Sequence, residues 1–359
     1  MTVIRDVRLR EVKRPLRTTF STSLGQKQHL RSIMVRVVLD GGASGLGEVP
    51  TSLAFEDETT GVARRVLEES TARIRGSSID EYGTLVDRLR TENPHAFMTI
   101  SGLEVALFRA LLSARGCSEQ AYWGNACPLI ETDITIPFFT DRRRLMRWID
   151  WTISRGFRIY KLKMSGHVQG DRLILSLLHG ILKERVPGFR LRLDANQGYT
   201  ARTFLDMLRY IEENGLEIEL FEQPLRKDDF RGFEEIRAYA SIPIILDETI
   251  LNLRDARRAV DNGLCDGVNI KLAKSGVAES LKIAELARQN HMKLMIGCMT
   301  ETMVGLSAAI FFAAGTGFFD FIDLDSIHLL FGKNRWPGFA LEGPSFVIGG
   351  DGKARNRIR

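Results

Sequence analysis

The stretch Phe157-Arg158-Ile159-Tyr160-Lys161-Leu162-Lys163-Met164 decides how the rest of the chain is read. Written as a strand, its period of two sets Lys161 and Lys163 side by side on one face and Tyr160 and Leu162 on the other. Two neighbouring ammonium groups repel each other and lose hydration on burial, so anions have to face them. Further along, three apolar runs end in Asp194, Glu222 and Asp247, and a fourth carries Lys271.

Working outward, the chain of 359 residues is long for one core and implies two cooperating domains or a barrel with additions. A hydrophobic fraction of 44% and a charged fraction of 26% suit a soluble globular protein and exclude a disordered one. The formal charge of +5 is small for this length. The densest basic run, Arg142-Arg143-Arg144, reads as a solvated helix start, so no nucleic-acid partner is expected. Cys117, Cys127, Cys265 and Cys298 show neither a C-x-x-C nor a zinc spacing, as thiols kept reduced in the cytoplasm would. The segment from Met1 to Pro15 lacks the apolar block of a signal peptide, and no apolar run approaches about 20 residues. A cytoplasmic protein without a membrane partner is expected.

Val3 to Val12, Ser32 to Asp40 and Ser44 to Val49 read as antiparallel strands, with a polar segment Thr18 to Gln28 between the first two. Helical tracts follow over Glu58 to Gly76, Ser78 to Thr91 and Ser101 to Ala114, giving an α+β unit over 1–125. Over 126–329 the pattern changes. Short apolar runs alternate with amphipathic tracts, the signature of parallel β/α units. The runs are Ile130 to Phe138, Arg158 to Met164, Arg190 to Asp194, Glu217 to Phe221, Pro243 to Leu246, Asp266 to Leu272, Lys293 to Gly297 and Phe319 to Leu324. Eight such runs suit a closed (β/α) barrel better than a doubly wound sheet, since no Gly-rich phosphate turn follows the first strand of either half. The tail, 330–359, returns to short strand and loop, and is expected to pack back on the amino-terminal unit.

In a parallel barrel the chemistry sits at the carboxyl ends of the strands. Here those ends carry Lys161 and Lys163, Asp194 with Asn196, Glu222 with Gln223, Asp247 with Glu248, Asn269 with Lys271, and Asp323 with Asp325. A single Asp at such a turn also serves as a helix N-cap, but six strand ends in one chain point to a site. Asp194, Glu222 and Asp247 form an oxygen-rich set suited to one Mg²⁺, and the absence of His and Cys from these ends argues against zinc. Lysines on the second and sixth strands would stand on opposite sides of the barrel mouth. A nearby cation lowers a lysine's pKa, which makes the neutral amine available as a base.

With these motifs in hand, the sequence resembles the enolase superfamily and, within it, the muconate-lactonizing-enzyme subgroup. The resemblance rests on Lys161-Leu162-Lys163, Asp194-Ala195-Asn196-Gln197, Glu222-Gln223-Pro224, Asp247-Glu248-Thr249 and Asn269-Ile270-Lys271. It implies an enolase-like α/β fold: a modified TIM barrel, (β/α)₇β, under an α+β capping domain that the tail completes. It also implies abstraction of the proton α to a carboxylate, with Lys163 and Lys271 as the acid/base pair and Lys161 neutralising the substrate carboxylate. Cys298-Met299 stands where the mandelate-racemase branch carries a His. The subgroup includes cycloisomerases, o-succinylbenzoate synthases, N-succinylamino acid racemases and dipeptide epimerases. Asp323-Leu324-Asp325 looks like the Asp-x-Asp with which dipeptide epimerases bind the substrate α-amino group, a contact in which two carboxylates make charge-assisted hydrogen bonds. Cys298, Met299 and Glu301 resemble the same family.

The resemblance places side-chain selection in two cap loops, Phe20 to Gln28 and Pro50 to Glu58. Members acting on Ala-Glu carry an arginine in the first, where this chain has Ser23-Leu24-Gly25 with Lys27 as the nearest cation. Phe20 and Leu24 in the first loop, and Phe55 and Glu56 in the second, are the expected contacts. With Asp57 they suggest a hydrophobic or cationic second residue. A homo-oligomer is expected from the family.

Overall fold

A computed structural model describes residues 2–139, 141–332 and 335–349. Of the tail, 333–334 and 350–359 lie outside the described residues.

The chain begins with three antiparallel strands, β1 (Ile4–Thr22), β2 (Gly25–Leu39) and β3 (Ser44–Pro50). The polar segment Thr18 to Gln28 does not separate β1 from β2, as the sequence suggested. It is the outer arm of one long hairpin: pairing lapses between Pro15 and Phe20 and resumes with Phe20 opposite Lys27. Polar composition misled here because the arm leaves the cap sheet for the barrel mouth, where Thr22 and Lys27 line the cavity beside Phe20 and Leu24. Helices α1 (Thr60–Ile74), α2 (Tyr82–Glu92), α3 (Phe97–Ala114) and α4 (Glu119–Trp123) follow. Thr59 caps α1 through the amide of Val62, as its place before an amphipathic run requires.

Helix α3 is long and apolar enough to span a membrane, yet it is buried over almost its whole length as the core helix of the cap. Strand β3 lies directly on its backbone. A Cβ on Gly45 would come within 2.1 Å of Ala106 O, and one on Gly47 within 2.0 Å of Gly102 O. Glycine is therefore required at both positions for steric reasons.

After a short strand, β4 (Leu129–Glu131), eight parallel strands run in sequential order: β5 (Ile134–Ile136), β6 (Ile159–Lys163), β7 (Arg190–Asp194), β8 (Leu220–Glu222), β9 (Ile244–Leu246), β10 (Gly267–Ile270), β11 (Lys293–Gly297) and β12 (Phe321–Asp323). Helices α5 (Arg142–Ser154), α6 (Val168–Arg185), α7 (Ala201–Glu213), α8 (Phe230–Arg237), α9 (Leu253–Asp261), α10 (Leu272–Gln289) and α11 (Met303–Thr316) follow the first seven strands. Only a 3₁₀ turn, Ser326–Leu329, follows the eighth. This is the (β/α)₇β pattern. The edge strands approach each other where Asp133 N–H donates to Ile322 O at 3.3 Å and Leu324 N–H to Thr132 Oγ1 at 2.7 Å. The run Ile130 to Phe138 is thus two strands, not one. Thr132 and Asp133 break it, and β4 pairs instead with the hairpin of β13 (Phe339–Glu342) and β14 (Ser345–Ile348).

Inside the barrel, Leu220, Ile245, Met295 and Phe321 form a small apolar cluster. Two residues further along the same strands, on the same face, come Glu222, Asp247, Gly297 and Asp323. The period of two thus sets a polar mouth on an apolar floor. The cap is tied to this mouth by Glu48, which accepts from Thr302 N and Oγ1 and from Gly305 N at the start of α11. Arg109 of α3, anchored within the cap on Leu46 O at 2.9 Å, also crosses the interface to Val304 O at 2.7 Å and Ser307 Oγ at 2.7 Å.

Replacing Gly47 by Ala forces β3 off α3. The overpacking lowers stability by about 1–3 kcal/mol or more, read as a leftward shift of the denaturant midpoint. An unchanged midpoint would contradict the packing described.

Candidate active site

Lys161 and Lys163 point into the barrel from β6, and both are buried, while Tyr160 and Leu162 join the apolar core on the other face. The expected anions do face the lysines. Lys163 donates to Asp194, its register partner on β7. Lys161 donates to Asp323 across the mouth, with Glu222 at 3.5 Å and Asp194 at 3.9 Å. Lys271, at the end of β10, donates to Asp247. In the strand order β6 and β10 stand four apart among eight, so Lys163 and Lys271 enter the mouth from opposite sides.

The strand ends are held rigidly. Asn196 N–H donates to Asp194 Oδ1 at 2.9 Å, Asn269 Nδ2 to Glu222 Oε1 at 2.6 Å, and Asp247 N–H to Gln223 Oε1 at 2.8 Å. Asn196 and Gln223, each just past a carboxylate-bearing strand, have φ of 42° and 37°, a left-handed backbone unusual outside glycine. Such strain, held by surrounding hydrogen bonds, is commonest at functional sites. Gly297 leaves the space that Asn269 and Lys271 fill: a Cβ there would meet both side chains at 2.7 Å.

Burial and the neighbouring Asp194 and Asp247 carboxylates push Glu222 up to about 8, against the pull of Lys161 and Lys271. Burial, Asp247 and Asp194 likewise raise Glu248 to about 7. Asp247 is driven the other way: burial opposes its charge, but Lys271 and Lys274 outweigh burial and lower it. At Lys271 burial disfavours the ammonium, yet Asp247 and Glu222 outweigh both burial and the repulsion from Lys161, so its pKa is raised. The lowering expected from the sequence is that of a lysine beside a bound cation.

Two groups of oxygens could hold a cation. One is the trio Asp194, Glu222 and Asp247, bridged by the lysines. Beside it Asn196 Oδ1, Asn269 Oδ1 and Glu248 Oε2 are buried without a hydrogen-bond partner. Unpartnered oxygens among carboxylates are the donor set a hard divalent ion requires, so the residues fit Mg²⁺. The other group is Asp133, Asp323 and Asp325, with one oxygen of each within 4.8 Å of the others. Each of these is already engaged: Asp133 by Arg192 at 2.8 Å, Asp323 by Lys161, and Asp325 by Thr135 N–H at 2.7 Å.

Asn196, Cys298, Met299, Asp323, Asp325, Phe20 and Leu24 line one cavity with Lys161, Lys163 and Lys271. Phe55 and Glu56 are not on its wall, which corrects the expectation for the second cap loop. Phe55 is buried edge-on against Phe97, Glu56 is exposed, and Ser52, Leu53 and Ala54 take their place. Sequence reasoning also missed Lys274, fully buried on Asp247, and Asp133 with its partner Arg192. For Lys274 the spacing of three from Lys271 was the available signal.

Comparison with known proteins agrees with this geometry. The family described as "Enolase C-terminal domain-like" matches residues 145–344. An L-Ala-D/L-Glu epimerase of Thermotoga maritima is 30% identical, over 94% of this chain and 95% of its own. A hydrophobic dipeptide epimerase of Citrifermentans bemidjiense is 28% identical, over 92% and 90%. The solved structure of a dipeptide epimerase from Enterococcus faecalis, in complex with Mg and L-Leu-L-Tyr, superposes with a TM-score of 0.87 at 25% identity and covers 98% of both chains. Fold, strand-end residues and relatives converge, and the chain belongs to the enolase superfamily, in its mandelate racemase and muconate-lactonizing branch of amino-acid-derivative isomerases.

Proposed function

We propose that the protein is a Mg²⁺-dependent dipeptide epimerase that inverts the α-carbon of the C-terminal residue, one lysine removing its α-proton and a second lysine supplying another from the opposite face. The observation that carries this reading is the placement of Lys163 and Lys271 four strands apart around one carboxylate cluster. One lysine, as the amine, takes the α-proton from one face, and the other, as the ammonium, returns a proton to the opposite face. Asp194, Glu222 and Asp247 hold the cation in preference to the Asp133 group, where the permanent charge of Arg192 at 2.8 Å opposes a second cation. When bound, Mg²⁺ would offset the negative charge of the enediolate and weaken the carboxylates' hold on the lysine protons.

Lys161 and Asp323 pair with each other in the structure. A dipeptide zwitterion offers a partner to each, its carboxylate to Lys161 and its ammonium to Asp323 and Asp325. It can therefore replace the internal pair without leaving a buried charge bare. Phe20, Leu24, Leu53, Ala54 and Met299 make the rest of the wall largely apolar. Lys27 also faces the cavity, and Glu56 and Asp57 are exposed outside it. That arrangement favours an apolar second residue and disfavours a cationic one. The four cysteines are free thiols, in keeping with a cytoplasmic enzyme, and assembly into a homo-oligomer is part of the proposal.

A library of L,L-dipeptides incubated in deuterated water with Mg²⁺ tests the reading. Dipeptides ending in Leu, Val or Phe are expected to exchange their α-proton fastest, and those ending in Lys or Arg slowest. Exchange confined to N-succinyl amino acids would refute dipeptide epimerisation. The raised carboxyls add a second test. Glu222 and Glu248 titrate higher folded than unfolded, so the stability they contribute is present at low pH and lost as pH rises through about 7 to 8. Without divalent ion the melting temperature should fall across that range, and Mg²⁺ should raise it more at about pH 8 than at about pH 6. A Mg²⁺ effect independent of pH would contradict the assignment.

A further inference from the structure

We propose that Asp133 is a positioning residue of the ammonium subsite: set behind Asp323 and Asp325, it offsets the charge of Arg192 and so leaves both carboxylates free to select substrates with a free α-amino group. The proposal rests on the dipeptide reading above. Asp133 is fully buried just ahead of β5, two residues from the cavity-lining Thr135 and on the same face of the chain. Its Oδ2 accepts from Arg192 Nη1 at 2.8 Å, whereas its Oδ1 is buried with no hydrogen-bond partner. One oxygen of Asp133 lies within 4.8 Å of both Asp323 and Asp325.

The cations nearby are shared among too many acids. Arg192 also donates to Glu219 at 2.6 Å and to Ile322 O at 2.9 Å. Lys161 is divided among Asp323, Glu222 and Asp194. Lys163 is committed to Asp194. Carboxylates outnumber cations in this corner, and the excess faces the cavity through Asp323 and Asp325. An ammonium placed there supplies the missing positive charge, which an N-acyl group cannot do. Burial and Asp323 push the Asp133 carboxyl upward against Arg192, and an arriving ammonium acts in the opposite direction, favouring the charged form.

The test uses L-Ala-L-Leu and steady-state kinetics with saturating Mg²⁺. D133N keeps the shape of the side chain and is expected to raise KM about tenfold while kcat changes less than about twofold. D133N/R192M removes both members of the buried pair, a replacement that folds tolerate better than loss of one, and restores the charge balance. Its KM is expected to return close to that of the wild type, and this comparison stands even where D133N alone does not fold. A D133N/R192M enzyme with KM raised tenfold would overturn the proposal, as would D133N acting on kcat alone. So would calorimetry in which Mg²⁺ binding is lost in D133N and kept in D194N, because Asp133, Asp323 and Asp325 would then be the metal site. Wild-type enzyme inactive on every free dipeptide would overturn the dipeptide reading itself, and this proposal with it.

Discussion

Burying Asp194, Glu222 and Asp247 at neighbouring strand ends is the constraint to which the rest of the barrel mouth responds. Each carboxylate loses its hydration and repels the other two, an arrangement that is stable only with cations at contact distance. The lysines of β6, Lys271 and Lys274 provide them. The compensation is uneven. Asp247 receives two ammonium groups, whereas Glu222 shares one with its neighbours and has its pKa pushed up. A site balanced in this way responds to any added cation, whether a metal ion or the ammonium of a substrate.

The fold delivers that constraint by simple means. Parallel strands point alternate residues inward, so the apolar floor of Leu220, Ile245, Met295 and Phe321 fixes the height at which the next inward residues stand. The cap closes the mouth from above. Ser23 at the tip of the β1–β2 hairpin bonds Ala195 O and Asn196 O, both at 2.8 Å, directly beyond the strand that carries Asp194. The residues that surround a substrate thus come from two units, the cap hairpin and the barrel strand ends.

Much of this was legible in the sequence because strand periodicity and strand-end chemistry are local properties. Lys161 and Lys163 announce an inward face by spacing alone, and the runs Arg190–Asp194 and Lys293–Gly297 coincide with β7 and β11. Other features depend on distant partners. The break at Thr132 and Asp133 was hidden within an apolar run, since only the later hairpin of β13 and β14 pulls β4 away from the barrel. Phe55 looked like a wall residue, but its position is set by Phe97, over forty residues away in the chain. How many carboxylates crowd Lys271 was equally a matter of three-dimensional packing.

The central claim, that Lys163 and Lys271 act from opposite faces of one α-carbon, is tested most directly by proton NMR of single-lysine variants in deuterated water. Lys163→Ala and Lys271→Ala should each exchange the α-proton of only one epimer, the two variants choosing opposite epimers, while neither interconverts them. If either variant exchanged both epimers, or if both variants favoured the same one, the two lysines would not flank the substrate and the account would be wrong.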